Sequence, residues 1–270
     1  MQYRNLGQSG LKVSPLCLGT MTFGVPVEEK DAIHLVHKAL DCGINFIDTA
    51  DMYEGYARYM GSAGGVAEEI LGKALKGRRD SIVVATKVGM RVGPGPSDEG
   101  LSRKHIMQAV EKSLKRLKTD YIDLYYLHRP DPETPLEETL ITMNDLIRQG
   151  KVRHIGISNF NAREAAEVIL TSKILELEPV ISHEPPYSIL RGDVEEELMP
   201  LCHRYGLGIV PYQVLDKGIL TGKYHRGRPA PEDSRLVEKP EWVGKIEEAT
   251  FDLLEGLDKL TKEVGKSMVQ

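Results

Sequence analysis

An α/β fold built on a parallel sheet is predicted by three observations. Seven short apolar runs rich in β-branched residues recur at intervals of about thirty residues. Amphipathic segments of helical period fill the intervals between them. The glycine signatures of an open nucleotide-binding sheet are missing: the first run continues as "LGTMTFG" rather than GxGxxG, and GxxxxGK followed by Ser or Thr occurs nowhere. A (β/α)8 TIM barrel is therefore preferred to a doubly wound sheet.

The elements follow in order. "YRNLGQSGLKV" reads as a hairpin with a glycine-containing turn, set before the first barrel strand and capping the bottom of the barrel. The strand runs are "SPLCLGT" from Ser14, "INFIDTA" from Ile44, "SIVVATKV" from Ser81, "YIDLYYLH" from Tyr121, "VRHIGISN" from Val152, "EPVISHE" from Glu178 and "GLGIVPYQV" from Gly206. Each reads as a strand buried on both faces. Ala32, Val36, Ala39 and Leu40 share one helical face, as do Leu136, Leu140, Met143 and Ile147, and residues 103–118 and 193–205 keep the same period. Gly43, Gly77, Gly150 and Gly206 stand where those helices should stop. After the seventh run come a long loop and one helical segment, "WVGKIEEATFDLLEGLDKLTKEVGK", with no eighth strand before Gln270. The reading is one barrel domain over residues 1–270, C-terminally incomplete, with a longer natural chain expected.

Composition restricts the function classes. The chain has 270 residues, 41% hydrophobic and 28% charged, enough to bury a sizeable core. Its 40 acidic residues exceed its 35 lysines and arginines, and no basic block could track a phosphate backbone, so no nucleic-acid partner is expected. No leader pattern opens the chain and no run reaches the roughly 18 apolar residues of a membrane span, so no membrane partner is expected and a cytoplasmic protein is. Cys17, Cys42 and Cys202 are odd in number and widely spaced; they read as small buried hydrophobes, without disulfide or metal role.

In a barrel, chemistry sits at the carboxyl ends of the strands. Here those ends carry Thr20, Asp48, Lys87, His128, Ser158 with Asn159, His183 with Glu184, and Tyr212 with Gln213. One charged group at a strand end is usually a solvated rim residue. Asp48, Lys87 and His128 lie in register on three successive strands, and adjacent strands are only about 4.8 Å apart, so they can share a pocket over which Tyr53 folds back. Tyrosine is a weak acid, but a neighbouring ammonium stabilises phenolate, so Lys87 is expected to lower the pKa of Tyr53 while Asp48 holds Lys87. His128 offers a donor to a substrate oxygen. The group reads as a phenol that gives a proton to an oxygen or takes one from it.

Protonating a carbonyl oxygen is half of a reduction, and the hydride must come from a cofactor. "GISNF" offers Ser158 and Asn159 to a carboxamide, and Tyr212 offers a flat ring for stacking. The loop "DKGILTGKY", with Lys217, Gly218 and Lys223, and Arg235 beyond it, could receive a pyrophosphate. Each of these residues alone also fits a cap, core or surface role.

The segments "GLKVSPLCLGTMTFG", "GINFIDTADMYEG", "AEEILGKAL", "VVATKVG", "SLKRLKTDYIDLYYLHRPDP", "GKVRHIGISNF" and "GILTGKY" together resemble the aldo-keto reductase family over residues 3–270. The resemblance implies a (β/α)8 barrel using NADP(H) to interconvert a small carbonyl compound and its alcohol. It also implies Asp48, Tyr53, Lys87 and His128 as the catalytic tetrad. Cofactor contacts are then expected from Thr20, Met21, Asp48, Ser158, Asn159, Glu184, Tyr212, Gln213, Val214, Leu215, Lys217, Gly218, Lys223 and Arg235. No metal is expected.

The chain departs from the family pattern at two further points. Glu184 stands where the family usually has Gln: a near-isosteric exchange on one reading, and on the other a negative charge that favours the oxidised, cationic ring. "YQVLDKG" replaces a common Ser-Pro-Leu segment. The glycine- and proline-rich loops "EGYARYMGSAGGVA" and "MRVGPGPSDEGLS" read as mobile lids, with Tyr56, Tyr59, Met60, Met90 and Arg91 as pocket candidates. Two other functions stay open: a redox-sensing docking subunit like the related potassium-channel β-subunits, in which the position of His128 is typically Asn, and a divalent-metal barrel enzyme, which Lys87 opposes. Substrate, reaction direction, choice of NADP or NAD and oligomeric state are left open.

Overall fold

The computed structural model describes residues 1–270 as two compact units, Met1–Pro185 with Glu195–Val210 and Pro186–Val194 with Pro211–Gln270. The first unit opens with the expected hairpin, β1 (Arg4–Asn5) antiparallel to β2 (Lys12–Val13). Seven parallel strands follow: β3 (Cys17–Gly19), β4 (Phe46–Asp48), β5 (Val83–Val88), β6 (Ile122–Leu127), β7 (Val152–Ser158), β8 (Val180–Glu184) and β9 (Gly208–Ile209). They pair in chain order, each with the next, so the curled sheet has the barrel succession predicted, with β3 and β9 as its edges. Helices α1 (Glu29–Asp41), α2 (Val66–Ala74), α3 (Arg103–Leu117), α4 (Leu136–Arg148), α5 (Ala162–Ile174) and α6 (Leu198–Tyr205) alternate with the strands. The apolar spacing marked four of these helices and missed α2 and α5.

Alternation along each strand explains what the curled sheet encloses. Phe46, Val83, Ala85, Leu124 and Tyr126 form one cluster with Leu6 and Val13 of the hairpin. Burying Phe46 or Leu124 contributes roughly 2–3 kcal/mol each. Side chains two apart share a face. The stripes that begin with Phe46, Val83 and Leu124 therefore end inside the curl on Asp48, Lys87 and His128. The hairpin closes the opposite, amino end: Gln8 N–H donates to Gly206 O at 2.7 Å, and a Cβ on Gly7 would come within 2.4 Å of that oxygen.

Two expectations need correction. β4, β5 and β8 are buried throughout, but β3 and β9 are only partly so, because an edge strand has a neighbour on one side only. Cys202 is buried and Cys17 partly so, whereas Cys42 is exposed, since it caps α1 at its solvent end.

Gly156 of β7 shows how tightly the interior is filled. A Cβ there would lie 2.4 Å from the ring of Tyr126, whose hydroxyl is held by Ser182 Oγ at 2.7 Å. Gly156→Ala is expected to cost about 1–3 kcal/mol through overpacking, measured as a lower urea midpoint with unchanged slope.

The second unit holds three helices, α7 (Arg235–Glu238), α8 (Pro240–Val243) and α9 (Glu248–Glu263). Ile219, Leu220, Tyr224 and Leu254 form its core. No helix of either unit is long and apolar enough to cross a membrane.

Candidate active site

The inward stripes finish on polar residues, and the register of the sheet brings those residues together. Asp48 is paired with Ala85, while Lys87 is paired with Tyr126, so the strands are staggered and Lys87 sits two residues further along β5 than the level of Asp48. The equal heights expected from the sequence give way to this stagger, which a curled parallel sheet requires. Lysine's length closes the gap. Its Nζ donates to Asp48 Oδ2 at 2.5 Å, to Thr49 O at 3.0 Å and to Tyr53 Oη at 3.3 Å. Glu184 Oε2 of β8 lies 3.4 Å from the same nitrogen. Lys87 is 1% exposed, Asp48 8% and Glu184 5%.

Tyr53 and His128 face one another edge to face, ring centroids 6.0 Å apart. The turn that carries Tyr53 is held at both ends, Asp51 N–H to Lys87 O at 3.2 Å and Ala67 N–H to Tyr53 O at 3.0 Å. On the His128 side, Asn159 Nδ2 donates to His128 O at 2.9 Å and to Ser158 Oγ at 3.0 Å. Ser158 Oγ in turn donates to Glu184 O at 3.0 Å. Asn159 has φ +64°, and α5 starts directly after it through a reciprocal cap between Asn161 and Glu164, both bonds 2.9 Å; such a cap contributes about 1 kcal/mol.

The electrostatics follow from burial around one cation. Burial raises the Tyr53 phenol above its ordinary value, and Lys87 opposes this without overcoming it. The expected net lowering is thus reversed: the phenol is neutral, a donor held beside an ammonium. Burial would lower Lys87, but Asp48 and Glu184 outweigh it and hold the amine well above its usual value. Burial raises Asp48 against the pull of Lys87. Burial, then Asp48, pushes Glu184 up to about 8. His128 is driven well below the imidazole range by burial, Lys87 and Arg129, so its ring is neutral.

A permanent charge at Glu184, one of the two sequence readings, is replaced by a group that binds a proton at neutral pH. The sign of its effect on stability follows. The native state keeps that proton up to about pH 8, whereas an ordinary carboxyl releases it near 4.5, so stability falls as pH rises between those values. Wild type is expected to lose a few kcal/mol relative to Glu184→Gln across that window, read from urea unfolding at several pH values.

Sequence reasoning missed a second buried polar group behind Lys87. Glu68 of α2 accepts from Thr86 Oγ1 at 2.6 Å and pairs with Arg116 at 2.6 Å. Asp51, 1% exposed, accepts no side-chain hydrogen bond there. The signal was an acid on the apolar stripe of α2, since Ala67, Glu68, Ile70 and Leu71 are all buried.

Of the other candidates, Thr20 is fully buried with its hydroxyl unpartnered, and Met21 beside it is partly buried. His183 points the other way along its strand, its Nε2 lying 2.9 Å from Phe160 O. Tyr59 and Met60 are exposed, and Arg91 is paired with Glu99 at 2.7 Å. The two long loops are tied together by Arg58, which donates to Ser62 Oγ at 2.6 Å and to Arg91 O.

Tyr212, Gln213, Val214, Leu215, Lys217, Gly218, Lys223 and Arg235 belong to the second unit. There the backbone reverses hand repeatedly, with φ of +56° at Gln213, +57° at Lys217 and +99° at Gly218. A Cβ on Gly218 would lie 3.5 Å from Lys223 Nζ, so the lysine and the glycine turn are neighbours. Left-handed turns aim backbone N–H groups into concavities that suit anions.

A staggered parallel sheet whose inward stripes end on a lysine and two carboxyls, with a phenol brought to them by the turn after β4, is a barrel-type sheet with its polar cluster at the carboxyl ends of the strands. The chain belongs to the Aldo/keto reductase family, whose model matches residues 15–270. Among its relatives is a "Probable voltage-gated potassium channel subunit beta" of Oryza sativa subsp. japonica, 40% identical over 278 aligned positions that take in 100% of this chain and 81% of the relative. Another of the same name, from Arabidopsis thaliana, is 43% identical over 242 positions, 88% of this chain and 70% of the relative.

Proposed function

We propose that the protein is a cytoplasmic NADP(H)-dependent oxidoreductase that interconverts an aldehyde or ketone and its alcohol, with Tyr53 as general acid and base. The observation that carries this is the contact between Tyr53 Oη and the Lys87 ammonium at 3.3 Å, with Asp48 holding that ammonium at 2.5 Å. In reduction, Tyr53 gives its proton to the carbonyl oxygen as negative charge develops there. Lys87 stabilises the phenolate left behind, at a distance where desolvation strengthens the attraction. His128, neutral, is a hydrogen-bond donor to the same substrate oxygen.

The bound cofactor supplies the hydride. The donor set of the first unit fits a nicotinamide: Asp48 Oδ1, Thr20 Oγ1 and His128 Nδ1 are buried and make no hydrogen bond, a cost that a polar ligand would relieve. Ser158 and Asn159 would hold the carboxamide, with Thr20, Met21, Asp48 and Glu184 around the ring. Within the second unit, Tyr212 offers a stacking face, Gln213, Val214 and Leu215 continue its segment, and the Lys217–Gly218 turn with Lys223 and Arg235 suits phosphate.

The names of the two relatives favour a second reading, a subunit that docks to a channel, in which the same polar site would bind the cofactor as a redox sensor and not turn it over. One titration separates them: follow NADPH fluorescence on adding protein, then NADPH absorbance on adding a panel of aldehydes and ketones. Binding with multiple turnover is the outcome expected. Binding without turnover supports the sensor, and no binding overturns both.

A further inference from the structure

Lys87 has more acidic neighbours than its charge requires. Asp48 already balances the ammonium at 2.5 Å, yet Glu184 Oε2 is placed 3.4 Å from it as well. A second buried carboxyl is costly unless it has a task. Its oxygen accepts no hydrogen bond, and the same Lys87 Nζ lies 3.3 Å from Tyr53 Oη. One nitrogen therefore bridges the phenol and the spare carboxyl.

Resting on the reductase reading above, we propose that Glu184 is a proton-relay residue: through Lys87 it replaces the proton that Tyr53 gives to the carbonyl oxygen, and it recovers that proton in alcohol oxidation. Atoms and electrons balance. A hydride from the reduced nicotinamide forms the new C–H bond, and the C=O π pair moves to oxygen. That oxygen takes the Tyr53 proton, the phenolate takes one from Lys87 Nζ, and the amine takes one from the Glu184 carboxyl. The site ends with a carboxylate gained where a cationic ring has been gained, so its net charge is unchanged.

Glu184 holds its proton less tightly than either group it would supply. Burial holds Tyr53 high, the carboxyls hold Lys87 high, and Glu184 is placed at about 8. The groups facing Glu184 are Asp48 from β4, Lys87 from β5, Tyr126 from β6, Cys17 from β3 and Tyr53 from the turn. Burial pushes Tyr126 and Cys17 well up, which keeps them neutral.

The test needs two readouts. Infrared difference spectra of cofactor-free protein are expected to show a protonated carboxyl band at neutral pH that is lost as pH passes about 8 and is missing from Glu184→Gln. Its absence from wild type overturns the relay and leaves the reductase reading standing. In steady-state carbonyl reduction, wild-type kcat is expected to fall above the same pH. Glu184→Gln should lose that alkaline limb and run about ten-fold slower at neutral pH. An unchanged pH profile in Glu184→Gln overturns the proposal, and so does a mismatch between the wild-type kinetic limb and the infrared titration, a comparison that needs no variant. Turnover absent from both proteins while the band is intact counts against the reductase reading, and the relay falls with it.

Discussion

Tyr53→Phe is expected to reduce carbonyl turnover by about 10³-fold, on the order of 4 kcal/mol of transition-state stabilisation, while NADPH still binds with its affinity changed less than about two-fold. The asymmetry comes from what the hydroxyl touches. Its hydrogen bond is to Lys87 at 3.3 Å, and the ring keeps its edge-to-face contact with His128 at 6.0 Å when only the oxygen is removed. Lys87 retains Asp48 and Thr49 O, so no buried charge is stranded and the melting temperature should hold. Stopped-flow measurement of NADPH oxidation beside a fluorescence titration checks both halves. If Tyr53→Phe kept most of its turnover, the proton would have to come from His128, which burial keeps neutral, and the assignment of the phenol would fail.

Lys87→Met should be worse on both counts. It removes the cation shared by Asp48 and Glu184, leaving two carboxyls in a volume that water scarcely reaches. Breaking a buried pair from one side costs about 3–5 kcal/mol, and here the cost should depend on pH. Burial already raises Asp48, and burial with Asp48 raises Glu184; without the ammonium both rise further. In acid both carboxyls are neutral and the penalty shrinks, whereas in alkali they must either ionise unpaired or hold protons against the solvent. Urea unfolding of wild type and variant at mildly acidic and mildly alkaline pH is expected to show the larger deficit in alkali. Equal deficits at both would mean that lysine's methylenes, not its charge, hold the site.

Much of this was legible in the sequence because two periodicities do the positioning. A strand that begins on a core residue such as Phe46 must present Asp48 to the same interior, and the same rule takes Val83 to Lys87 and Leu124 to His128. Identity and direction were therefore readable from residue types alone. Height was not, because the stagger that pairs Lys87 with Tyr126 depends on how the sheet curls. The net direction of the Tyr53 shift was also hidden. Sequence shows that a lysine is near but not how much water has been removed, and removal of water is the larger effect. Glu68 was overlooked for a related reason: its place on the apolar stripe of α2 is a local sign of burial, but the partners that make burial tolerable, Thr86 and Arg116, come from other elements.

The backbone at the strand ends has its own consequence for motion. Thr20 N–H donates to Asp48 O at 3.0 Å, Thr49 N–H to Ala85 O at 2.9 Å, Asp51 N–H to Lys87 O at 3.2 Å, His128 N–H to Val88 O at 2.8 Å and Asn159 N–H to Glu184 O at 3.2 Å. The ladder thus runs past the last strand residues and stitches the reacting groups to one another. In deuterated buffer the amides of Thr49, Asp51 and His128 should exchange on the timescale of global opening, far behind those of Tyr59 and Met60 in the neighbouring loop. Fluctuations that loosen this chemistry would have to unzip the sheet itself.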